Sequence, residues 1–476
     1  MVSSLAPELI EIVVNNIEHA DTLKSCSLVA NVFRYPSQRQ LWRHVTIEYT
    51  EVIDYNTPAA ADFSRQGDVA THLQAFPHLA RYVVSFVLTT GAIGIWQWEP
   101  ISRRLAALFE LLSNVGSLTI TSTDMFAWDL EQSSLIRYTT AVERLIRNQA
   151  ANRTLRYLEL GGFSYIPPAF MVRILTACPT VSIVGLELVP EDLERASVTS
   201  SHSAALEVSK NDRPCQMTAL RVGIFDISHQ RMHKSLIPHV KSLCALVLTA
   251  DFPNDVWYEL PMTRTSRVYE LCAAARGTLV NLSIELPPQD NDDVITSFSI
   301  PNLPRLQCLE INFSNVLLDI GDHTDNSISL TPPPRLLDLL STSLVNGAFP
   351  SLRQLCFLPG IYPPRIIRWD SAEFPPGFKC AAWDAILADY LSANPNVASF
   401  CVPRFYRPCD DPDHPYFDRE TIPMRSRDYV RLFQEYSQAM DTALPNATAR
   451  GLKVVEYPAG TCYDDDEVDF FQRKQK

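Results

Sequence analysis

One spacing recurs along this chain and leaves it few folds to choose from: an apolar residue, two positions, a second apolar residue, one position, and a third. It appears in VGSLTI as Val115-Leu118-Ile120 and in LRYLEL as Leu155-Leu158-Leu160. It returns as Val181-Val184-Leu186, Met217-Leu220-Val222, Leu243-Leu246-Leu248, Leu279-Leu282-Ile284 and Leu306-Leu309-Ile311. Leu352-Leu355-Phe357, Val397-Phe400-Val402 and Leu452-Val455-Tyr457 continue it, and Trp42-Val45-Ile47 with Val83-Phe86-Leu88 begin it. The second and third apolar residues of each group stand two positions apart, which puts one side chain in two into a core, as a strand requires. Leu155 and Val181 stand about 26 residues apart, and Leu279 and Leu306 about 27, a period at which supersecondary units stack.

Between these groups lie stretches with the helical period. In RRLAALFELLSNV the apolar residues include Leu105, Leu108, Phe109 and Leu112. ERLIRNQAA, PAFMVRILTAC, SRVYELCAAA, PRLLDLLSTSLV, AWDAILADYLSA and DYVRLFQEYSQAM repeat that spacing. Strand then helix, many times over, builds a parallel sheet covered by helices. Strands that neighbour each other in chain order make it an α/β solenoid with the strands on its concave side. A hydrophobic fraction of 46% with 20% charged residues over 476 positions supplies a core of that size.

The period and the L-x-x-L-x-L core resemble leucine-rich repeats. Those repeats carry an Asn or Cys three residues after the third apolar position, where it satisfies backbone groups in the turn; here Phe163, Phe225 and Ser314 stand there. A regular horseshoe is therefore not expected. Some repeats are long, with about 46 residues from Leu306 to Leu352 and about 55 from Val397 to Leu452. The insertions are rich in proline, as in TPPPRLL and LPGIYPPRIIRWDSAEFPPG. Strand positions between the core residues should face solvent on the concave side. They include Glu159, Glu187, Glu285 and Glu310, with Glu456 at the end of the series, against Arg221 alone. This predicts an acidic face that selects a target protein with a basic segment.

The first forty-five residues have a different pattern. Pro7 can open a helix, with Glu8 and Glu11 near its positive end. Leu9, Ile12, Val13 and Ile17 fall on one face of it. Asp21 or Thr22 can cap a second helix that carries Leu23, Cys26, Leu28, Val29, Val32 and Phe33. Pro36 predicts a break, and a short third helix ends at Leu41 and Trp42. So small a bundle does not bury all those apolar groups by itself, and what it leaves exposed is a partner surface.

The order Leu5, Pro7-Glu8-Leu9, Ile12, Leu23, Ser27-Leu28-Val29, Phe33, Leu41-Trp42 resembles the F-box in the form common among fungal proteins. Ala6 interrupts the usual Leu-Pro start, and Phe33 stands where many relatives have Trp. The resemblance implies that the bundle packs on a Skp-type adaptor and through it joins a cullin–RING ubiquitin ligase. It implies that Pro7, Leu9, Ile12, Leu28, Val29, Phe33, Leu41 and Trp42 divide between the adaptor interface and the bundle's own packing.

The remaining features restrict the function further. A net charge of −13 opposes general nucleic-acid binding. The eleven cysteines are scattered with no C-x-x-C pair, which fits a reducing compartment. No apolar run reaches the roughly 18 residues of a membrane span, and residues 1–20 lack the features of a signal peptide. The expectation is an intracellular, cytoplasmic or nuclear, protein with no membrane and no nucleic-acid partner. His229, His233 and His239 have no H-E-x-x-H context and read as an ordinary exposed helix, while CDDPDHPYFDRE lacks the calcium-loop spacing and reads as an extended loop. There is no G-x-S-x-G, no G-x-x-x-x-G-K-[ST] and no G-x-G-x-x-G. No catalytic residue, metal site or cofactor is expected.

The organisation expected is an F-box helical bundle over 1–45, a leucine-rich-repeat-like α/β solenoid with a curved parallel sheet over 46–460, and a charged tail over 461–476. The function expected is that of a substrate receptor in an SCF-type ubiquitin ligase. The alternative is a non-catalytic F-box and repeat scaffold with no part in ubiquitination.

Overall fold

The computed structural model describes residues 6–17, 19–49, 64–91, 95–127, 133–189, 215–249, 263–286, 300–313, 347–359, 381–393, 398–402 and 440–456, with a few isolated positions besides. The CDDPDHPYFDRE segment, the TPPPRLL insertion, the GIYPPR stretch after Pro359 and the charged tail lie outside the described residues. The chain divides into two compact units, Met1–Met217 and Thr218–Lys476.

The first unit opens with three helices: α1 (Pro7–Asn15), α2 (Ala20–Val29) and α3 (Asn31–Leu41). Pro7 occupies the first turn of α1 as expected, and the Asn16 side chain closes its far end by donating to the Ile12 carbonyl at 2.8 Å. The break falls elsewhere than at Pro36. Ala30, extended at φ −151° and ψ 147°, separates α2 from α3, and α3 runs unbroken through Pro36. The proline, sixth of the eleven residues of α3 and half-buried, removes one backbone bond, to the carbonyl of Val32, without ending the helix. Ile10, Val14 and Leu23 form the bundle's small core, with Ile17, Phe33 and Leu41 packed against it.

No linker follows. Strand β1 (His44–Tyr49) begins three residues after α3 ends, and the Trp42 ring stacks on His72 at 5.1 Å. His72 belongs to α4 (Ser64–Ala75), which is followed by the single turn α5 (Pro77–Ala80). Then come β2 (Ser85–Thr90), α6 (Ile95–Leu111), β3 (Ser117–Ala127), α7 (Ser133–Ala151), β4 (Tyr157–Ile166), α8 (Pro168–Ala177) and β5 (Thr180–Leu188). Each strand pairs in parallel with the next in chain order.

The pairing register aligns Val45, Phe86, Leu118, Leu158 and Val181 in one row and Ile47, Leu88, Ile120, Leu160 and Ile183 in the next. Every one of them is exposed by 5% or less. Phe109 on α6 meets Phe86 edge-on at 5.9 Å, so the helices close the core over these rows. The fifth strand is therefore framed as Cys178-Val181-Ile183, not as Val181-Val184-Leu186. The buried Cys178 supplies the first apolar position, and Val184 stands on the open face opposite Gly161.

The second unit holds β6 (Ala219–Gly223), α9 (Ile224–Ser228), α10 (Gln230–Leu236), β7 (Ala245–Thr249), α11 (Thr263–Ala274), β8 (Asn281–Leu286), β9 (Cys308–Phe313) and β10 (Gln354–Pro359). It ends with α12 (Ala381–Ala393), β11 (Ala398–Val402), α13 (Pro445–Ala449) and β12 (Lys453–Glu456). Its strands also pair in parallel and in order. Leu220, Leu246, Leu282, Leu309 and Leu355 share a register row and are fully buried. At the end of the ladder the frame differs from the expected one. Phe400 pairs with Val454, so Leu452 and Val454 continue the core rows in place of Leu452, Val455 and Tyr457. The buried Asp384 of α12 holds the last helix by accepting the amides of Asn446 and Ala447 at its first turn, at 3.2 and 2.8 Å.

One backbone device repeats at the entrance of the strands. A single carbonyl accepts two successive amides of the next repeat: Arg43 from Val84 and Ser85, Val84 from Gly116 and Ser117, Gly116 from Arg156 and Tyr157. In the second unit Thr218, Cys244, Val280 and Gln307 do the same. A hydroxyl just before the first apolar position adds to it, Thr278 donating to the Leu243 carbonyl at 2.8 Å and Ser351 to that of Pro304 at 2.7 Å. These bonds satisfy backbone groups at the entrance of each strand.

Candidate partner-binding surfaces

The three-helix bundle turns one apolar side inward and leaves another bare. Leu28 and Val29 are 83% and 79% exposed, at the end of α2. Leu9, Ile12 and Val13 on α1 and Val32 and Tyr35 on α3 are each at least half exposed, and Pro7 is exposed beside them. The residues singled out from the F-box resemblance thus separate. Pro7, Leu9, Ile12, Leu28 and Val29 face outward, whereas Phe33 and Leu41 pack on the small core and Trp42 packs on His72. Tyr35 was not expected; its place three residues after Val32, on the exposed face of the same helix, is the signal that would have found it.

The second candidate surface is the face of each sheet turned away from the core. In the first unit one row of it reads Thr46, Val87, Thr119, Glu159 and Ser182. The half-buried Glu159 carboxylate accepts from the Thr119 hydroxyl at 3.2 Å, from the Tyr157 hydroxyl at 3.0 Å and from Ser182 at 3.4 Å. In the second unit the corresponding row reads Arg221, Val247, Ser283, Glu310, Cys356, Ser399 and Lys453. Glu310 accepts from Ser283 at 3.0 Å. Arg221 and Lys453 share this row with Glu310, so its charge is mixed. Glu285 opposes Asn312 one step along, and Glu187 lies beyond a kink in β5 at Gly185.

That kink explains the unexpected Phe163. Gly162 and Gly185 have φ of +72° and +64° and lie side by side in β4 and β5. Each turns its strand so that the following residue, Phe163 or Leu186, points into the core and is fully buried. An aromatic ring thereby fills the turn, and the side-chain amide of a regular repeat is not needed.

The histidine group does not form a site. His229 is exposed, and His233 is buried on α10 with Met232 and Leu236, contrary to the exposed helix expected. The His233 Nε2 lies 3.4 Å from a Glu270 carboxylate oxygen. Burial lowers the His233 pKa, with the Glu270 charge opposing the shift less strongly, so the imidazole is neutral at pH 7. Among the described residues no cluster of three or more His, Cys, Asp or Glu could hold a metal, and no helix is long and apolar enough to cross a membrane.

The chain matches no protein family and no curated protein. Among solved structures it is similar to the leucine-rich repeat-containing protein LegL7 from Legionella pneumophila. The identity is 11%, 66% of this chain and 91% of that protein are covered, and the TM-score is 0.33.

Proposed function

We propose that this protein is the substrate-recognition subunit of an SCF-type cullin–RING ubiquitin ligase, with an F-box bundle at its N-terminus and leucine-rich-repeat-like ladders beyond it. The observation that carries the reading is the bare apolar face of α1–α3: Leu9, Ile12, Val13, Leu28, Val29 and Val32 stand in water although a small core lies beneath them. Fully burying an exposed aliphatic side chain is worth about 1.5–3 kcal/mol. Burying these six together is of the size needed to offset an association cost of roughly 4–15 kcal/mol. The occupant is a Skp-type adaptor, which links the chain to a cullin.

In this account the target docks on the open face of a sheet, whose rows of hydroxyls around Glu159 are held in place by the ladder itself. The protein contributes no catalytic group. It raises the effective concentration of the target beside a ubiquitin-loaded enzyme.

Size-exclusion chromatography with a purified Skp-type adaptor and cullin tests the proposal. The intact chain should co-elute with both, and a Leu9→Arg/Leu28→Arg variant, with its fold checked by circular dichroism, should elute alone. Elution of the folded intact chain apart from the adaptor would refute the proposal.

A further inference from the structure

A second surface of the first unit has the opposite sign to the chain as a whole. Two adjoining grooves run along the strand-entrance edge and share Arg39, Tyr82 and Val84. Arg43 lines one of them and Arg81 the other, with Ser113 and Asn114 at the far end. The repeating carbonyl device sets the order along this edge: Arg43, Val84, Gly116 and Arg156 follow one another on successive strands.

Arg43, Arg81 and Arg156 are exposed, and among the described residues none of them forms an ion pair. The Glu11 carboxylate, which lines one groove, lies 3.8 Å from Arg39, and both groups are more than half exposed. In a chain of net charge −13 such a group of unneutralised arginines is against the average. The Arg81 guanidinium is held 5.2 Å from the Tyr82 ring centre and donates to the Tyr82 hydroxyl at 3.4 Å, which leaves its remaining N–H groups for a carboxylate. The backbone amides of the edge are consumed by the carbonyls of the preceding strands, so side chains alone are left to recognise a ligand.

We propose that this edge is a docking site for an extended acidic peptide segment of a partner protein, one with Asp or Glu at alternate positions. Neighbouring strands lie about 4.8 Å apart, so Arg43 and Arg156, three strands apart, begin from points about 14 Å distant. An extended peptide presents same-face side chains every ~6.8 Å, and carboxylates at positions i, i+2 and i+4 span the same length. Arg81, three residues before Val84 in the chain, lines the groove that reaches Ser113 and Asn114, and in this proposal it takes the middle carboxylate. Nucleic acid fits less well, because Arg81 lies against the Tyr82 ring and, among the described residues, no other aromatic side chain lines the grooves for base stacking. The inference concerns the first unit alone and does not depend on what binds the helical bundle.

Fluorescence anisotropy with the intact chain tests it, using three probes: a peptide of about nine residues alternating Glu with Ser, the same peptide with Lys for Glu, and a single-stranded oligonucleotide of similar length. The Glu peptide should bind and the Lys peptide should not. Raising the salt from about 50 to about 200 mM should weaken the complex several-fold. Arg43→Gln/Arg81→Gln should weaken binding about tenfold or more, and Arg156→Gln should weaken it by a smaller factor. Leu9→Arg/Leu28→Arg, which disrupts the proposed adaptor face, should leave peptide binding unchanged. Equal binding of the Lys peptide, tighter binding of the oligonucleotide, or full affinity in both arginine variants at an unchanged thermal midpoint would overturn the proposal.

Discussion

Gly162 and Gly185 show how closely single residues control this fold. A Cβ on Gly162 would overlap the Ser122 carbonyl, whereas one on Gly185 finds its nearest neighbour, the Gly162 nitrogen, at 3.5 Å. Gly162→Ala should therefore cost at least about 2 kcal/mol, combining the overlap with an unfavourable φ. Gly185→Ala should cost only about 1–2 kcal/mol, from backbone conformation alone. Urea denaturation of both variants measures the contrast. The buried His233 gives a second prediction. Its folded pKa lies below the unfolded value, so the unfolded chain takes up the proton first and stability falls as pH drops through about 6.5. The urea midpoint should fall between pH 7 and pH 5.5, and fall less in His233→Gln. Neither feature was legible in the sequence. The missing Asn at Phe163 was visible, but a glycine's φ and a histidine's burial depend on the neighbouring strand and helix.

At the scale of elements the sequence was a good guide to the strands and a weaker one to their frames. Period-2 alternation located β4 and β7 correctly because leucine filled every core position. It misplaced the frame of β5, where Cys178 occupies the first position and Val184, apolar but on the open face, imitated a core residue. The corrected frame predicts that Ile183→Ala costs about 2–5 kcal/mol, as for a large side chain lost from a core, and Val184→Ala under about 1 kcal/mol. Thermal or urea unfolding of the two variants measures both, and equal losses would restore the original frame. The third helix shows a similar limit. Pro36 marked a break by local chemistry, yet α3 continues through it although the proline is the sixth of its eleven residues, so one lost backbone bond does not end the helix.

At the scale of the whole molecule, apolar patterning indicated both an N-terminal bundle and a ladder of strands, and both are present in the first unit without a linker. Charge was less legible. The run of glutamates implied an acidic face, but Glu159 and Glu310 are bonded to neighbouring hydroxyls and Arg221 and Lys453 enter the second row. The arginine-lined edge arises from residues far apart in sequence, which only the strand order brings together. The proposed docking of an adaptor on the bare face of α1–α3 is open to calorimetric titration of the intact chain with a Skp-type adaptor at several temperatures. One-to-one binding with a clearly negative heat-capacity change is expected, as apolar burial requires, and it should be lost in Leu9→Arg/Leu28→Arg. A folded chain that gives no binding, or a double variant that binds as tightly as the parent, would contradict it.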